Sequence, residues 1–213
     1  MPPPTGMIAT RELTNRDRYQ LLTSLVVPRP IAWVSSRSAA GVSNLAPFSY
    51  FVAISPAPML VGLSIGMRRG LTKDSLRNIR ETGVFCINVV TERHITAMNE
   101  SSGEHPPDVD EFEVAGLQAA QATLVDAPYV ADCPAVLECE FYKEMELDAA
   151  GSAFVVAEVV GVRLGPEIEF SPGTQLVDPL VLRPVGRLGG SLYGLLGDIP
   201  SLPRPGRPPG KSS

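Results

Sequence analysis

Short apolar runs with a two-residue period recur along this chain, and no regular alternation of strand and helix patterns separates them. That combination restricts the fold more than any other feature. Met59, Val61, Leu63 and Ile65 share one face of a strand read at Pro58–Ile65, with Leu60, Gly62 and Ser64 on the other. Residues 135–147 set Leu137, Cys139 and Phe141 against Glu138, Glu140 and Tyr142, the pattern of a sheet with one wet side. Ser152–Leu164 is similar, and Pro179–Leu182 suggests a short further strand. Ile31–Ser35 reads as a buried strand, and Val84–Val90 as a further strand. Helices are few: Asp17–Leu25, ended before Pro28; Lys73–Thr82, with Leu76 and Ile79 on one side and Gly83 as its stop; and Glu92–Glu100. Many short strands with a few peripheral helices predict a mainly β fold of barrel type.

A chain of 213 residues is long enough for one domain with its own core. The domain is read at residues 11–199, after a loose Pro-rich arm at 1–10. The stretch 200–213, PSLPRPGRPPGKSS, has little to bury and is expected to be disordered. No internal repeat is present.

The net charge of −5 argues against nucleic acid as a partner, because neutralising phosphates requires clustered Lys and Arg. No apolar run approaches the roughly 20 residues of a membrane span, and the N-terminus lacks a signal-peptide core. A cytoplasmic protein is expected. Cys86, Cys133 and Cys139 are an odd number without paired spacing, which reads as buried, inert thiols. The two histidines, His94 and His105, show no metal-ligand spacing. A chain so poor in catalytic side chains, if it is an enzyme, takes its chemistry from a bound organic cofactor.

Two segments could hold such a group. Residues 28–51, PRPIAWVSSRSAAGVSNLAPFSYF, place the strand-end hydroxyls of Ser35 and Ser36 near the polar edges Asn44 and Ser49 and the apolar walls Pro47, Phe48 and Tyr50. The same residues read equally as turn and core packing, and Trp33 reads more readily as core. The second segment is the helix start Thr72-Lys73-Asp74-Ser75. First-turn amides and the positive dipole end attract phosphate, with Lys73 adding a cation and Ser75 a hydroxyl. Asp74 would compete for those amides as a cap, and the segment then reads as an ordinary surface helix. Arg68 and Arg69 could meet an anion or simply be solvated.

PRPIAWVSS, SNLAPFSYF, LVGLSIG and KDSLRNIRETGVFCINVV, in this order, resemble the flavin reductase-like family, the FMN-binding split-barrel flavoproteins. VDEFEVAGL at Val109–Leu117 and RLGG at Arg187–Gly190 extend the likeness, which runs from about Tyr19 to Tyr193. The resemblance implies a six-stranded split β-barrel that forms a homodimer, with flavin near the subunit interface. It places Trp33, Val34, Ser35 and Ser36 along the cofactor and Asn44, Ala46, Pro47, Phe48, Ser49 and Tyr50 around the isoalloxazine ring. Ser64, Lys73, Asp74 and Ser75 match phosphate-side positions, Ser75 standing where the family usually has threonine. Arg29 and Asn99 are further candidates. No catalytic side chain and no metal ligand is implied. The implied cofactor is FMN, with FAD as the alternative, and the implied activity is reduction of flavin by NADH or NADPH. Electrons would then pass to an acceptor, such as an electron-acceptor protein or a monooxygenase. Where two-component reductases often carry Gly-Asp-His for nicotinamide use, this chain has Gly197-Asp198-Ile199. That departure raises a second reading, a flavin-binding electron carrier without its own nicotinamide site. A third is a split barrel without flavin that serves as an interaction module.

Overall fold

The computed structural model describes residues 6–148 and 151–202. Residues 1–5 of the N-terminal arm and 203–213 of the Pro-rich tail lie outside the described residues.

The chain begins with a 3-10 turn at Thr10–Glu12 and helix α1, Asn15–Leu25, capped by Thr14, whose hydroxyl accepts from the Asp17 amide at 3.2 Å. Strands β1 (Arg29–Pro30), β2 (Ala32–Arg37), β3 (Ser43–Phe48), β4 (Phe51–Pro56) and β5 (Met59–Ile65) follow. Helix α2 (Asp74–Thr82) leads into β6 (Val84–Val89), a 3-10 turn at Glu92–His94, and helices α3 (Ile95–Glu100) and α4 (Glu111–Val114). The second half holds β7 (Ala119–Gln121), β8 (Pro128–Val130), the long hairpin β9 (Ala135–Glu146) and β10 (Ala153–Leu164), helix α5 (Pro179–Leu182), β11 (Gly186–Arg187) and β12 (Tyr193–Gly194).

Seven strands form one antiparallel sheet in the order β3-β2-β6-β9-β10-β5-β4. Its two edge strands, β3 and β4, are consecutive in the chain and separated by only Ser49 and Tyr50. So short a link forces the two edges together at that corner, and the sheet curls into a split barrel. The sheet has one strand more than the six the resemblance implied. Pro47 sits in β3, an edge strand, where the missing amide costs no ladder bond on the open side.

Alternation across β2 and β6 fills two cores. Ala32 and Val34 from β2, with Phe85 and Ile87 from β6, point into the barrel with Leu63, Ile65 and Val155. Leu76 and Ile79 of α2 join them, so this helix plugs the barrel with its apolar face. Ile31, Trp33 and Cys86 point the other way into a second core with Met98, Phe112 and Val130. Both faces of β2 are therefore covered, which is why its sequence is almost continuously apolar. Gly83 ends α2 with φ +74°, a conformation that favours glycine.

Four expectations are corrected. Pro179–Leu182 is a short helix, started by the Asp178 carboxylate accepting from the Leu180 amide at 2.8 Å. Residues 43–48, expected as loop and wall, are a strand, and so are residues 51–56, for which no element was expected. Glu92–Glu100 is a 3-10 turn followed by a short helix. The wet face of β9 starts only at Glu140, because Glu138 is buried under the turn after β7, where it accepts from the Thr123 and Leu124 amides at 3.1 and 2.6 Å.

Candidate functional site

At the barrel mouth, the outer end of β3 meets the start of α2. A cavity of about 400 Å3 opens there. Asn44, Ala46, Pro47 and Phe48 of β3 form one wall, and Lys73, Asp74 and Ser75 form another. Met67, Arg68 and Arg69 come from the segment between β5 and α2, Ser101–Glu104 follow α3, and Glu111 opens α4.

Hydrogen bonds lock the β3 and α2 walls together. The Ser75 hydroxyl donates to the Asn44 side-chain oxygen Oδ1 at 2.7 Å, and the Asn44 amide donates to Glu111 Oε2 at 3.0 Å. The same carboxylate oxygen accepts from the Leu45 backbone amide at 3.1 Å. Behind them, Asn78 Nδ2 donates to the Ser36 hydroxyl at 3.2 Å. Asn44, Ser75, Asn78 and Ser36 are all buried, so each bond forms where water cannot replace it. Asn78 Oδ1 alone in this group is buried with no partner.

Burial pushes the Glu111 carboxyl above its ordinary value, and nearby Asp74 adds to this, while the Leu45 and Asn44 donors pull against it. Burial lowers the Lys73 ammonium, and repulsion from Arg68 lowers it further. Lys73 Nζ lies 5.2 Å from the centre of the Phe48 ring, a cation–π distance. Among the described residues neither Arg68 nor Lys73 is in an ion pair, whereas Arg69 is paired with Glu104 at 2.9 Å and Asp74 with Arg77 at 2.7 Å. Asp74 thus spends its charge on Arg77, and no side chain caps the first amides of α2. Two uncompensated cations and an uncapped helix start face one cavity, an arrangement that favours an anion.

The structure brings Asn44, Ala46, Pro47, Phe48, Lys73, Asp74 and Ser75 to this cavity. Ser49 lines a smaller neighbouring one of about 200 Å3 with Tyr19, Asn99, Arg187 and Tyr193, and Pro47 and Ser102 line both. Tyr50 is partly exposed, its ring centre 5.9 Å from the Arg29 guanidinium. Ser64 lies half-buried in β5 and does not line the main cavity. Trp33, Val34, Ser35 and Ser36 are buried behind the wall. Val34 belongs to the barrel core, and Ser35 donates to the Pro128 carbonyl at 2.6 Å. Trp33 Nε1 donates to the Ser101 hydroxyl at 2.9 Å, so it reaches the cavity only by holding a lining residue. Arg29 is buried and donates to the carbonyls of Thr23, Val26 and Leu188 at 2.7, 2.8 and 3.1 Å, fastening α1 to the C-terminal segment. Asn99 accepts from the Tyr193 hydroxyl at 3.2 Å.

Sequence reasoning missed Ser101–Glu104 and Glu111. The first group carries no periodic or motif signal. Glu111 lies inside the VDEFEVAGL segment, but nothing local distinguishes it from the acidic residues around it.

This split barrel and its anion-favouring cavity carry the features of a known class, and the chain belongs to it: the flavin reductase like domain family matches residues 24–183. An uncharacterised protein of Halalkalibacterium halodurans is 37% identical over 198 residues, covering 91% of this chain and 93% of the relative. Nitrilotriacetate monooxygenase component B from Bacillus cereus superposes with a TM-score of 0.88 at 30% identity, over 93% of this chain and 99% of that one. The 2-nitrobenzoate 2-nitroreductase of Pseudomonas fluorescens gives 0.85 at 32% identity, over 94% and 96%.

Proposed function

We propose that this chain is a flavin-binding oxidoreductase that takes reducing equivalents from NADH or NADPH and passes them to an acceptor. The observation that carries this reading is the cavity in which Arg68 and Lys73, both without a carboxylate partner, stand beside the uncapped start of α2 and opposite the Pro47–Phe48 wall. A phosphate would relieve the repulsion between the two cations and satisfy first-turn amides. Pro47, Phe48 and Ala46 would pack against the ring, and the Ser75–Asn44–Glu111 bonds hold that wall in place. When bound, such a flavin would supply the hydride-accepting and electron-releasing chemistry, and the residues around the cavity would bind and orient it. Trp33 and Ser36 support the site from behind, through Ser101 and Asn78.

Membership of the flavin reductase like family supports the reading. The likeness to a monooxygenase component supports an oxygenase or other electron-accepting protein as partner. Exposed apolar residues on α1 (Leu22, Leu25) and on edge strand β4 (Val52, Ile54) support a homodimer. No helix among the described residues is long and apolar enough to cross a membrane. Three free, buried thiols suit a reducing compartment such as the cytoplasm.

Titration with FMN, followed by flavin fluorescence and by melting temperature, tests the binding; no change in either sinks the reading. Ile199, in place of the histidine of the Gly-Asp-His pattern, favours a second reading as a carrier reduced by a protein partner. Stopped-flow mixing of the flavin-loaded protein with NADH and NADPH separates the two, since only the reductase bleaches its flavin rapidly.

A further inference from the structure

Strands β1 and β11 set Arg29 and Arg187 directly opposite each other in antiparallel register. Directly opposed residues share a face of the pair, and like charges there repel. Among the described residues neither guanidinium has a carboxylate partner. Arg29 is buried and donates to backbone carbonyls, which satisfy its hydrogens and leave its charge uncompensated. Two such cations on one face call for an anion between them.

The smaller cavity of about 200 Å3 lies beside this pair. Arg187 lines it, and so does Ser49, whose hydroxyl accepts from Arg29 Nε at 3.4 Å. The Arg187 guanidinium is held in place 4.5 Å from the centre of the Tyr193 ring, and the Tyr193 hydroxyl is tied to Asn99. The Gly190 carbonyl takes one guanidinium donor, which leaves others for a carboxylate, the planar anion that a guanidinium fork matches. Buried Ile31 and Met98, with Pro47, give the same cavity an apolar side. Its volume equals about seven waters at ~30 Å3 each, room for a small acid and not for a nucleotide.

We propose that this cavity is a carboxylate subsite that brings a small organic acid with a flat apolar body to the flavin; its position beside the ring rests on the flavin reading above. Pro47 lines both cavities, so the acid lies against the wall on which that ring would pack. Arg187 grips the carboxylate, and Arg29 adds its charge from behind Ser49.

The test uses benzoate and its neutral analogue benzamide, titrated by calorimetry into the full chain with and without FMN. The native protein should bind benzoate at least about tenfold more tightly than benzamide, the return of one charge-assisted contact. Arg187→Gln should bring benzoate down to the benzamide level, with the circular dichroism spectrum unchanged. Asn99→Trp keeps both arginines, puts bulk into this cavity at a residue that does not line the main one, and should also weaken benzoate. In the flavin-loaded protein, benzoate should shift the flavin absorption bands. No preference for benzoate over benzamide overturns the proposal, and so does a preference that survives both substitutions. Benzoate binding that FMN abolishes, or that leaves the flavin spectrum unchanged, overturns the placement beside the ring. Benzoate binding to a chain that does not take FMN sinks the flavin reading and leaves the carboxylate site standing; FMN binding without benzoate binding does the reverse.

Discussion

The Ser75 hydroxyl donates to the Asn44 side-chain oxygen Oδ1 at 2.7 Å, joining the first turn of α2 to the beginning of edge strand β3 across 31 residues of sequence. This bond brings the uncapped start of α2 and the Pro47–Phe48 wall to opposite sides of one cavity. Glu111 completes it by fixing the other end of the Asn44 amide, so the wall's position depends on a carboxylate from a third element.

Glu111→Ala should therefore damage both stability and binding. It leaves the Asn44 Nδ2 and Leu45 amide donors unpaired in a buried place, at about 1–3 kcal/mol for each unsatisfied group. Glu111→Gln keeps an acceptor at that position and should lose much less. Urea unfolding compares the three proteins; equal stabilities for the alanine and glutamine variants would remove Glu111 from this role.

The same carboxyl should leave a pH signature. Its folded value is raised above the ordinary 4.5 by burial, so the native state holds the proton more tightly than the unfolded chain does. The stabilisation it contributes is full below 4.5 and is lost as the pH rises from there through the folded value. The stability of the native protein minus that of Glu111→Gln should accordingly fall across that window. A flat difference would show that Glu111 titrates normally.

Lys73→Ala should weaken FMN binding by roughly 1–3 kcal/mol, or about 5- to 150-fold, if the ammonium contacts the phosphate. Riboflavin has no phosphate and serves as the control: its affinity should change little. Equal losses for both ligands would place Lys73 at the ring through its Phe48 contact and not at the phosphate.

Gly83→Ala should destabilise the fold by about 1–2 kcal/mol, because an L-residue is strained in the left-handed conformation that ends α2. Its carbonyl also accepts from the Phe141 amide at 2.7 Å, tying the helix end to β9. Thermal unfolding reads the loss.

The thiols should be silent in the folded protein. Burial pushes Cys86 up to about 12, Cys133 up to about 11 and Cys139 well above the usual range. An aromatic disulfide reagent at pH 8 should label none of them until denaturant is added, and then all three. Rapid labelling of the native chain would contradict their burial.

Local signals determined much of this molecule. The two-residue period of β5, β9 and β10 sets their strand character through contacts two residues apart, and it is visible wherever one face meets a core. The Lys73–Gly83 stretch reads as a helix because Leu76 and Ile79 are three residues apart and glycine ends it. Buried thiols follow from their apolar neighbours.

What the tertiary structure alone decided are pairings distant in sequence. Residues 43–48 are a strand because β2 lies beside them, and Pro47 is tolerated because that strand is an edge. Glu138 looks like a wet-face residue until the turn after β7 covers it. Pro179–Leu182 has strand-like residues, yet the Asp178 cap starts a helix there. Trp33, Ser35 and Ser36 lie in the most site-like stretch of the sequence, but the second core and the sheet claim their side chains. Glu111 is 67 residues from Asn44, and no pattern of neighbours could announce that bond. Segment shape is set by contacts within a few residues; a site is set by which segments the closed sheet brings to the same mouth.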